Sequence, residues 1–346
     1  MNKDRITTRI RANALKSVCG CFIAGSLMSI PSCNRPTPST ENTSPLPAMH
    51  YADSTRNGIN FSKDPHVISF KGRYLMYYSV GPTDQAGWSI GISESNNLTD
   101  WKPLLSMEVV DSCEAKGFCA PCAIVRNDTV HLFYQTYGNG PKDAICHAWS
   151  TDGLHFQRNP TNPVFAPKPS SWNCGRAIDA EVAFINGKYH MYYATRTPDY
   201  QKQIIGVAVA PASTNFDKKD WTEVVDHAIL TPEYPWEETC TEGPSVLEKD
   251  GVYYMFYAGA YNLRPQQIGV ARSTDGINWE KMSNKPFLTN GDPGTWNSCE
   301  SGHPHIFKDK NGDIYLFYQG NDDFGKTWYL SNVKVWWKNG KPSLMK

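Results

Sequence analysis

Short runs in which apolar and polar residues alternate recur through residues 52–346, and Gly, Pro or Asp turns separate them. Alternation with a period of two predicts β-strands that each bury one face. No stretch with the apolar spacing of a helix lies between these runs. The pattern therefore predicts an all-β chain, and the 11 Trp, 18 Tyr and 14 Phe, most of them inside the runs, agree with it.

The predicted strands form five units of similar layout. Each has an apolar strand, a turn, an aromatic strand, further strand segments and a closing Trp or Phe. The first two strands of each unit read "DPHVISFKGRYLMYYSV", "APCAIVRNDTVHLFYQTY", "IDAEVAFINGKYHMYYATR", "EGPSVLEKDGVYYMFYAGA" and "GHPHIFKDKNGDIYLFYQG". A single four-stranded sheet cannot bury both of its faces, whereas sheets stacked around an axis can. We predict a five-bladed β-propeller with four antiparallel strands per blade over residues 52–346.

Candidate chemistry lies at the start of the first strand of each unit. In a propeller these strands line the central channel and run in the same direction, so their starting residues converge at one end of the axis. Each carboxylate alone has an ordinary explanation as a turn cap or an ion-pair partner. Three together are costly in repulsion and desolvation, which favours a functional role. The five starting residues are Asp64, Cys122, Asp179, Glu242 and His303, and the successive spacings between them are 58, 57, 63 and 61 positions.

Several carboxylates in one pocket suit the hydrolysis of a glycosidic bond. That reaction needs one carboxyl group that is protonated, to donate to the leaving oxygen, and one that is ionised, to activate water or attack the sugar. We expect burial and a third acid nearby to raise the pKa of the donor.

The motifs Asp64-Pro65, Ala120-Pro121, Ile178-Asp179, Glu242-Gly243-Pro244 and Gly302-His303, in this order, resemble glycoside hydrolase family 43 across all five units. The resemblance implies an inverting, five-bladed enzyme such as an α-L-arabinofuranosidase, a β-xylosidase or an arabinanase. It also implies that Asp64 is the general base, Asp179 the modulator and Glu242 the general acid, with a pKa raised by Asp179 and by burial.

The resemblance extends to His303, which matches an axial histidine that lies beside a bound calcium or a solvent network in several members. We expect no other cofactor. Two residues depart from the pattern, because Cys122 stands where relatives commonly have Asp, and Lys63 stands where Arg is frequent. Fructan-active enzymes and mannoside phosphorylases share this resemblance, so the subfamily stays open.

Further substrate-binding candidates surround the three acids. Indole rings provide flat platforms for sugars, but the same Trp residues could instead fill the gaps between blades. An Arg fork could hold sugar hydroxyls or restrain Glu242, although Arg residues more often form surface pairs. These candidates are Trp88, Trp172, Trp236, Trp296, Arg196 and Arg264, together with Arg176.

The first 32 residues have the layout of a secretory signal of the lipoprotein type. Five basic residues precede the 13-residue apolar stretch "VCGCFIAGSLMSI", which is too short to span a bilayer stably. The following "IPSC" resembles a lipobox, which makes Cys33 the expected lipidation site; the alternative is an ordinary cysteine near a simple cleavage site. Residues 33–51 read as a Pro/Ser/Thr-rich disordered tether. We expect a bacterial periplasmic or cell-surface lipoprotein.

Charge and cysteine content limit the expected partners. The leader holds five of the 34 basic and one of the 34 acidic residues, so the remainder is weakly acidic and has no basic stripe for nucleic acid. We expect a monomer that contacts a membrane only through its lipid anchor. Seven cysteines follow Cys33. For the Cys119-Ala-Pro-Cys122 motif we expect a local disulfide that involves Cys113 in preference to a metal site, and the spacing leaves the pairing open.

These features predict an exo-acting glycosidase that releases arabinofuranose or xylose from plant or algal oligosaccharides and polysaccharides. Two alternatives remain open. One is a non-catalytic glycan-binding lipoprotein, which would have no use for a protonated carboxyl group. The other is a glycoside phosphorylase on a related propeller, which would require a basic phosphate pocket.

Overall fold

The computed structural model describes residues 48–345, and the predicted signal, Cys33 and most of the tether lie outside this range. It confirms the five-bladed propeller, with one four-stranded antiparallel sheet per blade. The blades are, in chain order, β1 (Lys63–Phe70), β2 (Arg73–Val80), β3 (Ser89–Ser95) and β4 (Lys102–Ser106); β5 (Phe118–Arg126), β6 (Thr129–Thr136), β7 (Ile145–Ser150) and β8 (Gln157–Arg158); β9 (Ile178–Ile185), β10 (Lys188–Arg196), β11 (Gln203–Pro211) and β12 (Thr222–Glu223); β13 (Thr241–Lys249), β14 (Val252–Gly259), β15 (Gln267–Ser273) and β16 (Glu280–Lys281); β17 (Glu300–Lys308), β18 (Ile314–Asn321), β19 (Tyr329–Lys338) and β20 (Lys341–Leu344).

Helical structure in the described range is limited to four single turns of 3₁₀ helix in the connections. Among residues 48–345, no helix is long and apolar enough to cross a membrane. The 3₁₀ turns span Ser112–Glu114, Gly140–Lys142, Lys218–Asp220 and Pro235–Glu237.

Each sheet is a meander in which consecutive strands are neighbours. The first strands of the blades pack against one another in a ring, and β1 of the first blade contacts β17 of the last, which closes the circle. All five inner strands therefore start at the same end of the axis, as the sequence predicts.

The core consists of five apolar clusters, one between each pair of adjacent blades. Tyr77 and Phe118 belong to the cluster between the first and second blades, and Met255 and Tyr257 to that between the third and fourth. Every sheet thus buries both faces, which a lone sheet could not do. The side chains that follow the alternating pattern are the ones buried between blades.

The segment before β1 fastens the ring. Tyr51 and Leu330 exchange backbone hydrogen bonds of 2.9 and 2.7 Å, and Ser62 donates to the carbonyl oxygen of Trp328 at 3.1 Å. Met49 is fully buried in the cluster between the last and first blades. The expected tether boundary at residue 51 is therefore too late, because Met49 and Tyr51 already pack into the propeller.

Candidate active site

The first strand of every blade breaks its ladder at the same point. Two consecutive residues in each inner strand are left out of the pairing with the second strand. Such a bulge re-aims side chains next to it and is common beside active sites. The first of the two unpaired residues in each of the five strands borders one narrow space on the axis. These five residues share a positive φ of 43–53° and are Asp64, Ala120, Asp179, Gly243 and His303.

This register corrects the predicted one in two blades. The counterpart of Asp64 in the second blade is Ala120, and Cys122 lies two residues further along the strand. In the fourth blade the counterpart is Gly243, and Glu242 lies one residue earlier. Spacing along the chain could not resolve this difference, because the bulges shift the side chains relative to the strand pattern. Glu242 still reaches the site, since the residue before the bulge faces the cavity above it.

The three acidic side chains gather around one imidazole ring. His303 places Nδ1 3.1 Å from Asp64 Oδ1 and Nε2 3.5 Å from Glu242 Oε1. Asp179, Glu242 and His303 each have one polar side-chain atom within 4.8 Å of those of the other two. Asp179 and Glu242 are buried, and only 10% of the Asp64 side chain is exposed. The predicted convergence of the three carboxylates is therefore present.

The electrostatics of this cluster differ from the expectation for Glu242. Burial raises the pKa of Asp179 to about 7, and the charges of Glu242 and Asp64 add to this effect. Burial acts on Glu242 in the same way, but the imidazole of His303 donates to it and holds its pKa below the ordinary value. Burial also disfavours a charged His303, yet Asp64 and Glu242 outweigh this and raise its pKa to about 10.

The cluster at neutral pH therefore has a charged His303 between an ionised Asp64 and an ionised Glu242. The group with the raised carboxyl pKa is Asp179. Hydrogen-bond donors explain why the pKa of Glu242 is lowered and that of Asp179 is raised. Glu242 accepts from several side chains, whereas the buried Oδ2 atom of Asp179 has no partner among the described residues.

Glutamine side chains hold the acids in place. Gln266 Nε2 donates to Glu242 Oε1 at 2.6 Å, and Gln203 Nε2 donates to Glu242 Oε2. Two other glutamines accept from the bulge backbone: Gln319 from the N–H of Asp64 at 2.9 Å, and Gln135 from the N–H of Asp179 at 2.6 Å. Gln319 and Gln135 each belong to the blade that precedes the bulge they hold.

Sequence reasoning missed these glutamines, although one signal was available. Gln135 and Gln319 both end the run "LFYQ", once in the second blade and once in the fifth. A polar residue that ends an aromatic strand at the same position in two repeats indicates a shared buried partner. Ser79 holds a related position, since its hydroxyl donates to Asp64 Oδ2 at 2.5 Å and accepts from the N–H of Ala120 at 2.8 Å.

A second polar layer closes the channel below the bulges. Glu181 accepts from the hydroxyl of Ser245 at 3.2 Å and lies 3.3 Å from Nε2 of His66. The rings of His305 and His66 are in contact at a tilt of 38°, with their centres 3.8 Å apart. Cys122 Sγ donates to Glu181 at 3.4 Å. This layer makes the site a pocket with a floor.

The pocket above the acids has a volume of about 180 Å³. Besides the three acids and His303, its walls contain Trp88, Tyr137 and Tyr261 as aromatic surfaces. Three cationic side chains also line it: Lys63, Arg176 and Arg196. The space suits a single sugar ring with donors and acceptors around it.

Comparison with known families decides the identity. The family model described as Glycosyl hydrolases family 43 matches residues 55–342, which is nearly the whole propeller. The chain belongs to glycoside hydrolase family 43.

Individual relatives of this family 43 chain are distant. It is 30% identical to a sucrose-6-phosphate hydrolase of Zymomonas mobilis subsp. mobilis over 51% of its own length and 35% of the relative. It is 32% identical to a xylosidase/arabinosidase of Butyrivibrio fibrisolvens over 29% and 21% of the two chains. The matches thus span about a third or less of these relatives.

Among solved structures, a thermostable family-43 glycoside hydrolase superposes with a TM-score of 0.66. The match covers 82% of this chain and 93% of that one at 22% identity. At this identity the likeness concerns the fold alone.

Three of the four Trp residues that we predicted to bind sugar lie outside the pocket of this family 43 protein. The rings of Trp172, Trp236 and Trp296 pack into the clusters between blades and do not line the pocket. The physical reason is a set of glycines on the neighbouring strands. A Cβ added at Gly206 or Gly259 would come within 2.8 or 2.3 Å of the indole of Trp172 or Trp236. Of the four Trp candidates, the structure places Trp88 alone in the pocket wall.

Of the three Arg candidates in this family 43 protein, two line the pocket and one does not. Arg196 lines the pocket, and so does Arg176, which pairs with Asp143 at 3.3 Å. Arg264 is exposed and is not part of the pocket wall, because its loop turns the side chain towards solvent.

A calcium ion beside His303 does not fit the arrangement. Calcium takes six to eight oxygen ligands, whereas both ring nitrogens of His303 already face carboxylate oxygens, at 3.1 and 3.5 Å. In the lower layer, His66, Glu181 and His305 also lie close together. Their polar atoms contact one another and the backbone, His305 Nε2 lying 3.0 Å from the carbonyl oxygen of Val67. No step below uses a metal.

The cysteines do not follow the expected local pairing. Cys113 Sγ lies 3.5 Å from Cys146 Sγ, whereas Cys119 and Cys122 belong to the inner strand of the second blade. All seven cysteines of the described range are free thiols in this structure. Spacing along the chain could not identify Cys146 as the neighbour of Cys113, because the two approach only through the strand order of the blade.

Proposed function

We propose that this family 43 glycoside hydrolase is an exo-acting, inverting enzyme that releases arabinofuranose or xylose from oligosaccharides. Asp64 acts as the general base, Glu242 as the general acid and Asp179 as the modulator. The observation that supports the proposal best is the placement of Asp64 and Glu242 on opposite sides of one imidazole ring in one pocket. Inverting enzymes use two separate carboxyl groups, roughly 6.5–9.5 Å apart, so that a water can attack from the face opposite the leaving group.

The proposed reaction is a single displacement. Ionised Asp64 removes a proton from water as the water oxygen bonds to the anomeric carbon on the face opposite the leaving group. The bond from the anomeric carbon to the leaving oxygen breaks, and Glu242 gives that oxygen a proton. One water is consumed, and one sugar and one alcohol are formed.

Glu242 must gain a proton before it can act as the acid. In the empty pocket its pKa is lowered, while Asp179 beside it has a pKa of about 7. A sugar ring that fills the pocket removes water from Glu242 and disfavours its charge. We propose that the proton shared within the cluster then lies on Glu242. Asp179 is therefore the source of the proton that Glu242 donates.

The size of the pocket supports exo action. A volume of about 180 Å³ above the polar layer that contains Glu181 is the size of one terminal sugar unit. The sugar units themselves are proposed on the basis of the partial likeness to a xylosidase/arabinosidase. We further propose that the protein is an exported bacterial lipoprotein, attached through Cys33, and that it works as a monomer.

Aryl glycosides test the proposal. The protein should release 4-nitrophenol from the α-L-arabinofuranoside or the β-D-xyloside, and Asp64→Asn should lower kcat by a factor of about 10³ or more, since a general base contributes 10²–10⁴. Near-wild-type turnover by D64N on the preferred substrate would refute the assignment of the base.

The leaving group gives a separate test of Glu242. Glu242→Gln should lose activity on a methyl glycoside, which needs a proton at the leaving oxygen, and should keep far more on a 2,4-dinitrophenyl glycoside, which does not. Equal losses on both would exclude Glu242 as the acid. Glycan binding without any turnover would support the non-catalytic alternative, and turnover that depends on inorganic phosphate would support the phosphorylase.

A further inference from the structure

Arg196 ends β10 and presents most of its guanidinium group to the pocket. Its Nε donates to Gln203 Oε1 at 3.2 Å, and the group lies 5.5 Å from the ring centre of Tyr261. Among residues 48–345, no carboxylate lies within 4.0 Å of it. A guanidinium has five N–H donors in a planar fork. Four of these remain for a ligand, on a side chain that Gln203 and Tyr261 hold in position.

Arg176 lines the same pocket and has a spare donor. Its Nη2 donates to Asp143 Oδ2 at 3.3 Å, which leaves 13% of the side chain exposed. The Nε atom is buried, and no residue in the described part of the chain accepts a hydrogen bond from it. Buried N–H groups are normally paired, so this donor indicates a missing acceptor. Both guanidinium groups act on the charge of Tyr261 between them.

The charge balance of the pocket favours an anionic acceptor over a neutral one. Four cationic side chains line the pocket: Lys63, Arg176, Arg196 and His303. Asp143 compensates Arg176, and Asp64 lies beside both His303 and Lys63. Glu242 must be protonated, and therefore neutral, when it acts as the acid. Because that proton comes from Asp179, the total charge of the cluster is unchanged, and among residues 48–345 Arg196 still has no carboxylate within 4.0 Å. A carboxylate or phosphate group of the substrate would supply its negative partner.

The position of Arg196 shows which part of the substrate would carry this group. Gln203 connects Arg196 to Glu242, because it accepts from the Arg196 Nε and donates to Glu242 Oε2. The side of the pocket near Glu242 is the leaving-group side. This step rests on the proposed function. An attacking phosphate would instead have to approach from the opposite face, beside Asp64.

We propose that Arg196 and Arg176 bind an anionic oxygen group on the sugar at the leaving-group side, so that the substrate carries a uronate carboxylate or a phosphate ester next to the bond that is cleaved. The enzyme would then remove a neutral terminal sugar from an acidic neighbour. The planar fork of Arg196 explains specificity for such a neighbour, since a neutral ring offers it only hydroxyl groups.

Calorimetric binding to the wild-type protein tests this without any turnover. D-glucuronate and glucose 6-phosphate should each be compared with D-glucose, and inorganic phosphate serves as a fourth arm. We expect at least one of the two acidic sugars to bind tenfold or more tightly than glucose. The preference should weaken when NaCl is raised from about 50 to 500 mM, because salt screens exposed charges. The acidic sugar with the higher affinity shows whether the bound group is a carboxylate or a phosphate ester.

Three Arg variants complete the design. Arg196→Gln should reduce the acidic-to-neutral affinity ratio at least fivefold, and Arg196→Lys should restore part of it. Arg264→Gln, a matched change of an exposed arginine outside the pocket, should leave the ratio unchanged. Thermal unfolding confirms that each variant is folded, and the wild-type ratio is informative even if a variant is not.

Equal affinity for acidic and neutral sugars, or an unchanged ratio in R196Q, would overturn the proposal. So would inorganic phosphate binding as tightly as both acidic sugars, because the site would then recognise the free anion. Since no arm requires hydrolysis, acidic-sugar binding by a protein that cleaves nothing would refute the proposed function and keep this inference. If the protein cleaves glycosides but shows no preference for acidic sugars, the proposed function stands and this inference is refuted.

Discussion

Asp179→Asn should stabilise the fold while it abolishes most activity. Asn has the shape of protonated Asp and cannot ionise. In the folded protein burial raises the pKa of Asp179 from 3.8 to about 7. Between these two pH values the folded state binds more protons at this residue than the unfolded state does, so wild-type stability falls as the pH rises through that window.

The magnitude follows from the size of the shift. One pKa unit corresponds to 1.36 kcal/mol, so a shift of about 3 units removes about 4 kcal/mol from the wild type by pH 8. The Asn variant does not lose this free energy. With about 2 °C per kcal/mol for a chain of this size, D179N should melt on the order of 8 °C above the wild type at pH 8. The two proteins should melt together near pH 4.

Differential scanning fluorimetry from pH 4 to pH 9 measures this difference. Asp128→Asn, an exposed change of the same type, should leave the melting temperature unaltered at every pH. Asp143→Asn removes the partner of Arg176 and should lower it. If D179N is no more stable than the wild type at pH 8, or if its advantage does not depend on pH, the account of the cluster is wrong.

Further predictions concern the supports of the site and the thiols. Gln266→Leu removes a 2.6 Å hydrogen bond to Glu242 and should raise the pKa of Glu242, which a shift in the pH profile of kcat measures. Oxidised glutathione should join Cys113 and Cys146, whose sulfurs lie 3.5 Å apart; mass spectrometry of the digest without reductant detects the bond. For two cysteines 33 positions apart the chain-entropy model gives about 3–4 kcal/mol of stabilisation, and C113S should abolish it. Glu181→Met removes the acceptor of the lower layer and should lower the melting temperature without changing KM.

The sequence predicted the fold because the propeller repeats one pattern five times. Alternation marks each strand, turns separate the strands, and neighbouring blades must share their apolar faces. Asp64 and Asp179 were placed correctly for the same reason, since both occupy the bulge position itself. The ring of blades then brings the two residues together, so their proximity could be predicted without knowledge of any side-chain contact.

The remaining parts of the site depend on features that spacing does not carry. Glu242 reaches the pocket from the residue before the bulge, because Gly243 occupies the position with positive φ. The role of Gln203 depends on β11 lying beside the start of β13, a contact between blades. Trp172 was assigned to the pocket because its position relative to Asp179 is regular, whereas Gly206 decides where its ring packs.

Proton NMR of the first-formed product tests the central claim, that Asp64 and Glu242 act on one anomeric carbon from opposite sides. The wild-type protein and a β-xyloside, or whichever aryl glycoside it cleaves fastest, are followed from the first minutes of the reaction. The account predicts that the anomer of opposite configuration appears first and that the other arises only by mutarotation. First appearance of the anomer with the substrate's own configuration would contradict it.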